Sequence, residues 1–162
     1  MLVPAQLYRE ELANLNASCF FKEKFKWFFA GERYELEIPK DCTYRRYFAC
    51  LNEDNKIVGY FTYHYSEIDR RMRDFGIMSF VEGINRTLIK DVQEHIADMF
   101  LNKGAISLEF FAFTDNPACK AYDRYMKKHG GKRVCELKNT VFFEGNFHNS
   151  YIYELQASDF IK

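Results

Sequence analysis

Hydrophobic positions along the chain switch between two spacings, and the switches mark out the elements. Residues 5–17 set Leu7, Tyr8, Leu12 and Leu15 near helical spacing, with no conventional strand visible before Ala5. Residues 20–29 (FFKEKFKWFF) repeat that spacing with Phe21, Phe25, Phe28 and Phe29, and Gly31 is placed to close this second helix. An aromatic stripe of this kind is core far more often than a ligand-binding wall. Residues 44–51 (YRRYFACL) and 56–65 (KIVGYFTYHY) are runs of β-formers flanking Asn52-Glu53-Asp54-Asn55, a hairpin turn. A third strand over residues 73–80 (RDFGIMSF) completes an antiparallel meander. Residues 87–100 then carry Leu88, Ile89, Val92, Ile96, Met99 and Phe100 on one stripe, the clearest helix in the chain.

The stretch ISLEFFAFTDNPACKAYDRYMKKHGG, residues 106–131, organises the second half. Residues 105–113 alternate little, which predicts a central strand covered on both faces. It stops at Asp115-Asn116 and turns at once into a helix, with Asn116 as N-cap and Pro117 at the first helical position. Ala118, Ala121, Tyr122, Tyr125 and Met126 give that helix an apolar, tyrosine-rich face. Lys127, Lys128 and His129 complement its negative end, and Gly130-Gly131 supplies a left-handed exit. Residues 132–143 and 148–155, joined by 144–147, form a closing hairpin. The predicted fold class is α/β (α+β): a mixed, mostly antiparallel central sheet flanked by helices, in a single domain over residues 1–162, with no repeat or linker dividing it.

Composition narrows the classes of function. Hydrophobic residues are 48% and aromatics 18%, enough for a core without disulfides or metals. Charges balance at 23 against 23, which argues against a nucleic-acid binder held by a basic field. Five scattered cysteines without a CxxC suit a reducing compartment, and four dispersed histidines offer no ligand spacing, so no metal is expected. With neither a leader-like start nor an apolar run of membrane-spanning length, the expectation is a cytoplasmic protein with no membrane partner.

This order of elements, with IVGY on the second strand and the strand–Asn–helix junction, resembles the GNAT superfamily of acyl-CoA-dependent N-acyltransferases over roughly residues 46–162. The resemblance implies an enzyme that moves an acetyl group from acetyl-CoA to a primary amine of a small molecule or peptide, by direct transfer in a ternary complex. In that family the strands matching residues 73–80 and 105–113 splay, and the pantetheine arm enters between them. The family's loop Q/R-x-x-G-x-G/A binds pyrophosphate through backbone N–H groups at a helix start. Here it reads Phe80-Val81-Glu82-Gly83-Ile84-Asn85, followed by Arg86-Thr87: Gly83 matches the first glycine, Asn85 replaces the second, and Phe80 sits where Gln or Arg is usual.

By this resemblance the cofactor-binding residues are Met78, Ser79, Phe80, Gly83, Ile84, Asn85, Arg86 and Thr87, with Asn116 contacting the arm. A backbone N–H on strand 73–80 would polarise the thioester carbonyl. The family's N-x-x-A-x-x-L-Y-x-K-x-G-F is matched by Asn116-Pro117-Ala118, Tyr122, Tyr125 and Gly130-Gly131, with spacing that departs by one residue. It implies a catalytic tyrosine that assists the leaving thiolate, Tyr122 first and Tyr125 second. His64, Glu67 and Glu109 are candidates for the base, and nothing in their spacing selects one. Cys119, at a helix start, lacks a His or Asp partner for nucleophilic work. Substrate selection falls to the N-terminal helices and the charged connection 66–71. A GNAT-like binding or regulatory module is the alternative, suggested by the altered Gly83–Asn85 loop, and a homodimer through exposed aromatics is the open alternative for assembly.

Overall fold

The computed structural model describes residues 1–30, 36–40 and 44–160. The chain runs through β1 (Leu2–Pro4), a 3-10 turn (Ala5–Tyr8), α1 (Arg9–Cys19), a second 3-10 turn (Glu23–Phe25), α2 (Lys26–Phe29), β2 (Arg45–Leu51), β3 (Ile57–Ser66) and β4 (Arg71–Ser79). It continues with α3 (Arg86–Leu101), β5 (Ser107–Phe113), α4 (Cys119–His129), β6 (Lys132–Phe143), β7 (Asn146–Gln156) and α5 (Ala157–Phe160). The seven strands form one sheet in the order β1-β2-β3-β4-β5-β7-β6. Pairing is antiparallel at β1–β2, β2–β3, β5–β7 and β6–β7, and parallel at β4–β5. This is the mixed, mostly antiparallel, helix-flanked sheet that the sequence predicts. No helix among the described residues is long and apolar enough to cross a membrane.

By internal contacts the chain divides into two units, Met1–His64 with Gly76–Ile96, and Tyr65–Phe75 with Ala97–Lys162. In the first, β3 is buried at every position except His64 and Ser66, because both its faces are covered. Tyr60 and Ala49 of the neighbouring strand join Leu12, Cys19, Phe25, Phe29 and Ile38 in one core. On the other face Phe61 and Tyr63 stack with Phe48 and pack around His95 of α3. Gly59 lies beneath α3: a Cβ there would stand 2.7 Å from a Leu88 methyl and 3.1 Å from the Met78 carbonyl oxygen. Only a residue without a side chain lets the helix approach so closely.

In the second unit β5 joins β7, and α4 covers the face that carries Phe110 and Tyr153, whose rings stack at 4.9 Å, with Tyr122 edge-on to Phe110 at 5.1 Å. The opposite face opens locally: Phe111 is 48% exposed, while Ser107 and Phe113 on the same face are buried, so the cover expected on both faces is broken at mid-strand. The β6–β7 connection is a two-residue turn, Glu144-Gly145, with φ of 50° and 80°; such left-handed pairs match the twist of a hairpin, and β7 starts at Asn146 rather than His148.

Two further expectations are corrected. The helix expected over residues 20–29 is a 3-10 turn followed by the four-residue α2. Aromatic side chains are modest helix formers and no side chain caps this segment; Phe20, Phe28 and Phe29 instead make edge-to-face contacts, and Phe21 is 93% exposed. Gly31 lies outside the described residues. A strand does precede Ala5: Leu2–Pro4 pairs with Phe48–Cys50, in a run too short to show a period. Replacing Gly59 by Ala is expected to cost about 1–3 kcal/mol, since the Met78 carbonyl is main chain and cannot turn aside. Urea unfolding reads this directly, and an unchanged midpoint would contradict the close packing of α3 on β3.

Candidate active site

In the first unit the candidate residues cluster where β4 ends and α3 begins. Asn85 is the hinge of this junction. Its Oδ1 accepts the Leu88 N–H at 3.1 Å, capping α3, while its Nδ2 donates to the Val58 carbonyl at 2.7 Å and the Ser79 hydroxyl at 3.2 Å. The residue is 7% exposed and its carboxamide is used at both ends, so the side chain holds the loop and has no donor left for a ligand. The Phe80 N–H is likewise committed, to the Val58 carbonyl at 3.0 Å, and Met78 is buried.

What remains open lies between these anchors. Gly83 takes φ of 71° with nothing within 4 Å of its Cβ position, Ile84 is 77% exposed, and the Arg86 side chain is exposed. Among the described residues the N–H groups of Gly83, Ile84 and Thr87 make no hydrogen bond, whereas that of Arg86 goes to the Ile84 carbonyl. Unpaired amides at the start of a sixteen-residue helix form a surface that suits an anion. The structure therefore divides the predicted set: Asn85, Phe80 and Met78 build the junction, and Gly83, Ile84, Arg86 and Thr87 line its open side.

In the second unit the β4–β5 ladder comprises three pairs, Arg71↔Ser107 to Arg73↔Glu109. The next residue, Asp74, has φ of 53°, a left-handed conformation in the middle of a strand that breaks the pairing like a bulge. At the other end of β5 the chain turns through Asn116. Its Oδ1 accepts the Ala118 N–H at 2.9 Å and its carbonyl the Cys119 N–H at 3.0 Å, so α4 begins at Cys119, two residues later than Pro117 suggested. Gly130 ends the helix at φ of 78°, as predicted. Among the described residues the Asn116 Nδ2 donates to nothing. That neutral donor pair is open to a hydrogen-bond acceptor.

The two tyrosines are separated. Tyr122 sits in the Phe110–Tyr153 cluster, where burial, reinforced by the nearby Cys119, pushes its phenol up to about 12. Tyr125 lies one turn on, its ring 4.6 Å from His129, and its buried hydroxyl has no partner; burial pushes it up to about 12 as well. Both keep their protons at neutral pH. Cys119 donates its thiol to the Phe113 carbonyl at 3.2 Å and burial raises its pKa, the reverse of an activated nucleophile. Tyr153 and Asp123, which the sequence did not single out, join beside it: the buried phenol of Tyr153 donates to Asp123 Oδ1 at 3.1 Å. Glu109 lies in register with Arg73 on one side and Glu154 on the other, within a charged row of the sheet. Glu67 is exposed.

The first unit also holds an open groove of about 1450 Å³, lined among others by Tyr8, Glu10, Glu11, Asn14, Glu37 and Tyr47. Glu10 and Glu11 were visible in REEL, but nothing in the sequence tied Glu37 to them.

A mixed sheet in this order, a parallel pair that opens after three rungs, and two strand-to-helix junctions make up the fold of the GNAT N-acetyltransferases. Among solved structures the chain is similar to spermidine N-acetyltransferase SpeG of Vibrio cholerae in complex with CoA and spermine. The TM-score is 0.72 and the identity 14%, over 100% of this chain and 98% of that one. It is also similar to a putative phosphinothricin N-acetyltransferase, at TM-score 0.69 and 15% identity over 97% and 98% of the chains, and to a probable acetyltransferase, at 0.68 and 15% over 93% and 88%. No family model and no curated protein matches the sequence.

Exchanging Asn85 for Asp sets carboxylate oxygens against the Val58 carbonyl and removes two donated hydrogen bonds. A loss of about 1–3 kcal/mol is expected, seen as a lower urea midpoint at unchanged slope. Undiminished stability would mean that Asn85 does not anchor the junction.

Proposed function

We propose that residues 1–162 form a single acetyltransferase domain that moves the acetyl group of acetyl-CoA to a primary amine, directly and without a covalent enzyme intermediate. The observation that carries this reading is Asn116: it fixes the turn into α4 with one end of its carboxamide and keeps the other unspent. The unpaired amides of Gly83, Ile84 and Thr87 support it, being suited to phosphate, with Arg86 adding a cation. In the transfer the amine nitrogen bonds to the acetyl carbon as the carbon–sulfur bond breaks. The amine gives up a proton and CoA leaves as its thiol. Tyr122 is the group assigned to the leaving sulfur, with Tyr125 second, because a phenol held neutral can donate to a thiolate.

The acceptor is assigned to the groove beside α1. Its lining holds three carboxylates, Glu10, Glu11 and Glu37, and one guanidinium, that of Arg9. Such a lining favours an acceptor that carries further positive charge on a small molecule or peptide. The similar structures bind or act on amines, spermine and spermidine among them, which supports the same chemistry here. A GNAT-like binding module is the second reading, favoured by the commitment of Asn85 and the Phe80 amide to internal bonds.

Calorimetric titration with acetyl-CoA, followed by thiol release in the presence of primary amines, separates the readings. Binding is expected, weakened about tenfold or more by Asn116→Ala, which removes the free donor together with the acceptor that holds the Ala118 N–H. Tyr122→Phe is expected to leave binding intact and to lower kcat by about 10²-fold. Absence of binding by the unmodified protein would sink the enzyme, and binding without thiol release for any amine would favour the module.

A further inference from the structure

His148, near the start of β7, stands between two hydrogen-bond acceptors. Its Nδ1 is 2.8 Å from Asp115 Oδ2 and its Nε2 is 3.0 Å from the Phe143 carbonyl oxygen. A carbonyl only accepts, so a hydrogen bond there needs a proton on Nε2; a carboxylate accepts too, so a bond there needs one on Nδ1 as well. A neutral imidazole has a single N–H and satisfies one of these acceptors, not both. Asp115 immediately precedes Asn116, and the same turn is tied to β7 once more by the Thr114 N–H, which donates to the Asn149 carbonyl at 2.9 Å. The imidazole thus bridges the β6–β7 hairpin and the turn that opens α4.

We propose that His148 is held as an imidazolium and in that form positions Asn116, by clasping Asp115 to the end of β6. Among the described residues Asp115 from the β5–α4 turn and Glu144 from the hairpin turn act on the ring, both negative and both favouring the cation. Its pKa is raised, chiefly by the hydrogen bond to Asp115 and then by that to the Phe143 carbonyl. The stability contributed by the clasp is therefore complete below the ordinary histidine value and is lost as pH rises through the higher value in the folded protein. Above it, either Asp115 or the Phe143 carbonyl is left facing a lone pair, so the clasp keeps one of its two hydrogen bonds and the turn is held less firmly, by that bond and the Thr114–Asn149 one. His148 is a positioning residue here, since it acts through Asp115 and Asn116. The consequence for acetyl-CoA rests on the acyltransferase reading; the clasp does not.

The test follows the His148 ring by nitrogen-detected NMR in the full chain. Hydrogen-exchange protection is measured alongside at the Ala118 and Cys119 amides, which Asn116 holds. Expected are two protonated ring nitrogens below neutrality, and protection factors that fall together with the ring titration. Asp115→Asn, a change at an exposed side chain, should move that titration to lower pH, and His148→Gln should leave both amides weakly protected at every pH. A ring with one protonated nitrogen below neutrality, or protection indifferent to the ring titration and to Asp115→Asn, would overturn the proposal. Acetyl-CoA affinity measured on the same samples should follow the same pH curve. If the ring and amides behave as expected while acetyl-CoA binds at no pH, the clasp stands and the acyltransferase reading fails.

Discussion

Burial of β3 on both faces is the constraint from which the first unit follows. A strand with Tyr60 toward α1 and the second 3-10 turn, and Phe61 and Tyr63 toward α3, needs cover on each side, and each large ring contributes about 1.5–3 kcal/mol only if that cover is close. Closeness fixes the rest. Gly59 lets Leu88 of α3 down onto the strand, and the position of α3 then decides where its first turn, and so the loop from Val81 to Asn85, must lie. Asn85 completes the chain of dependence by tying that loop to the Val58 carbonyl, one residue from Gly59. The backbone before α3 is thus placed by core packing on the neighbouring strand, which is how a loop with one glycine in place of two can hold a defined conformation.

The economy of donors at the strand-to-helix junctions separates structural from chemical work. Both ends of the Asn85 carboxamide are spent inside the protein, and so is the Phe80 amide. Asn116 is spent by half, and the amides of Gly83, Ile84 and Thr87 are unspent among the described residues. A buried donor without a partner costs roughly 1–3 kcal/mol, so open donors persist on solvated turns or where a ligand completes them. Tyr125, with a buried and unpartnered hydroxyl, is the one described side chain that carries this cost outright.

Periodicity made the scaffold legible and left much of the site hidden. The stripe from Leu88 to Phe100 and the run of β-formers in KIVGYFTYHY identified α3 and β3 within one residue at each end, because burial on one helix face imposes the first pattern and burial on both strand faces the second. The same reasoning failed over residues 20–29: aromatics at helical spacing look alike whether they line a helix or pack ring on ring across a turn. Asn116 was readable as a cap from its neighbour Pro117, but Asn85 was readable only as a departure from a glycine. Its true role depends on Val58, 27 residues away. Asp115 and His148, 33 residues apart, and Tyr153 and Asp123, 30 apart, carry no joint signature at all. Contacts made by the sheet register exist only once the sheet does.

The burial of Tyr122 limits what its phenol can do in the proposed reaction. An ordinary thiol has a pKa of about 8.5, and Tyr122 is pushed up to about 12. At 1.36 kcal/mol per unit, full transfer of its proton to a departing thiolate runs uphill by roughly 5 kcal/mol. A hydrogen bond to the sulfur carries no such cost, and in surroundings as apolar as those made by Phe110 and Tyr153 it is worth more than in water. The chemistry that suits Tyr122 is therefore stabilisation of the charge developing on sulfur, with the proton that completes the thiol arriving from solvent. Lowering the pKa of this phenol would take a cation or a second donor beside its oxygen. The groups around it, a buried thiol and two aromatic rings, instead keep it neutral.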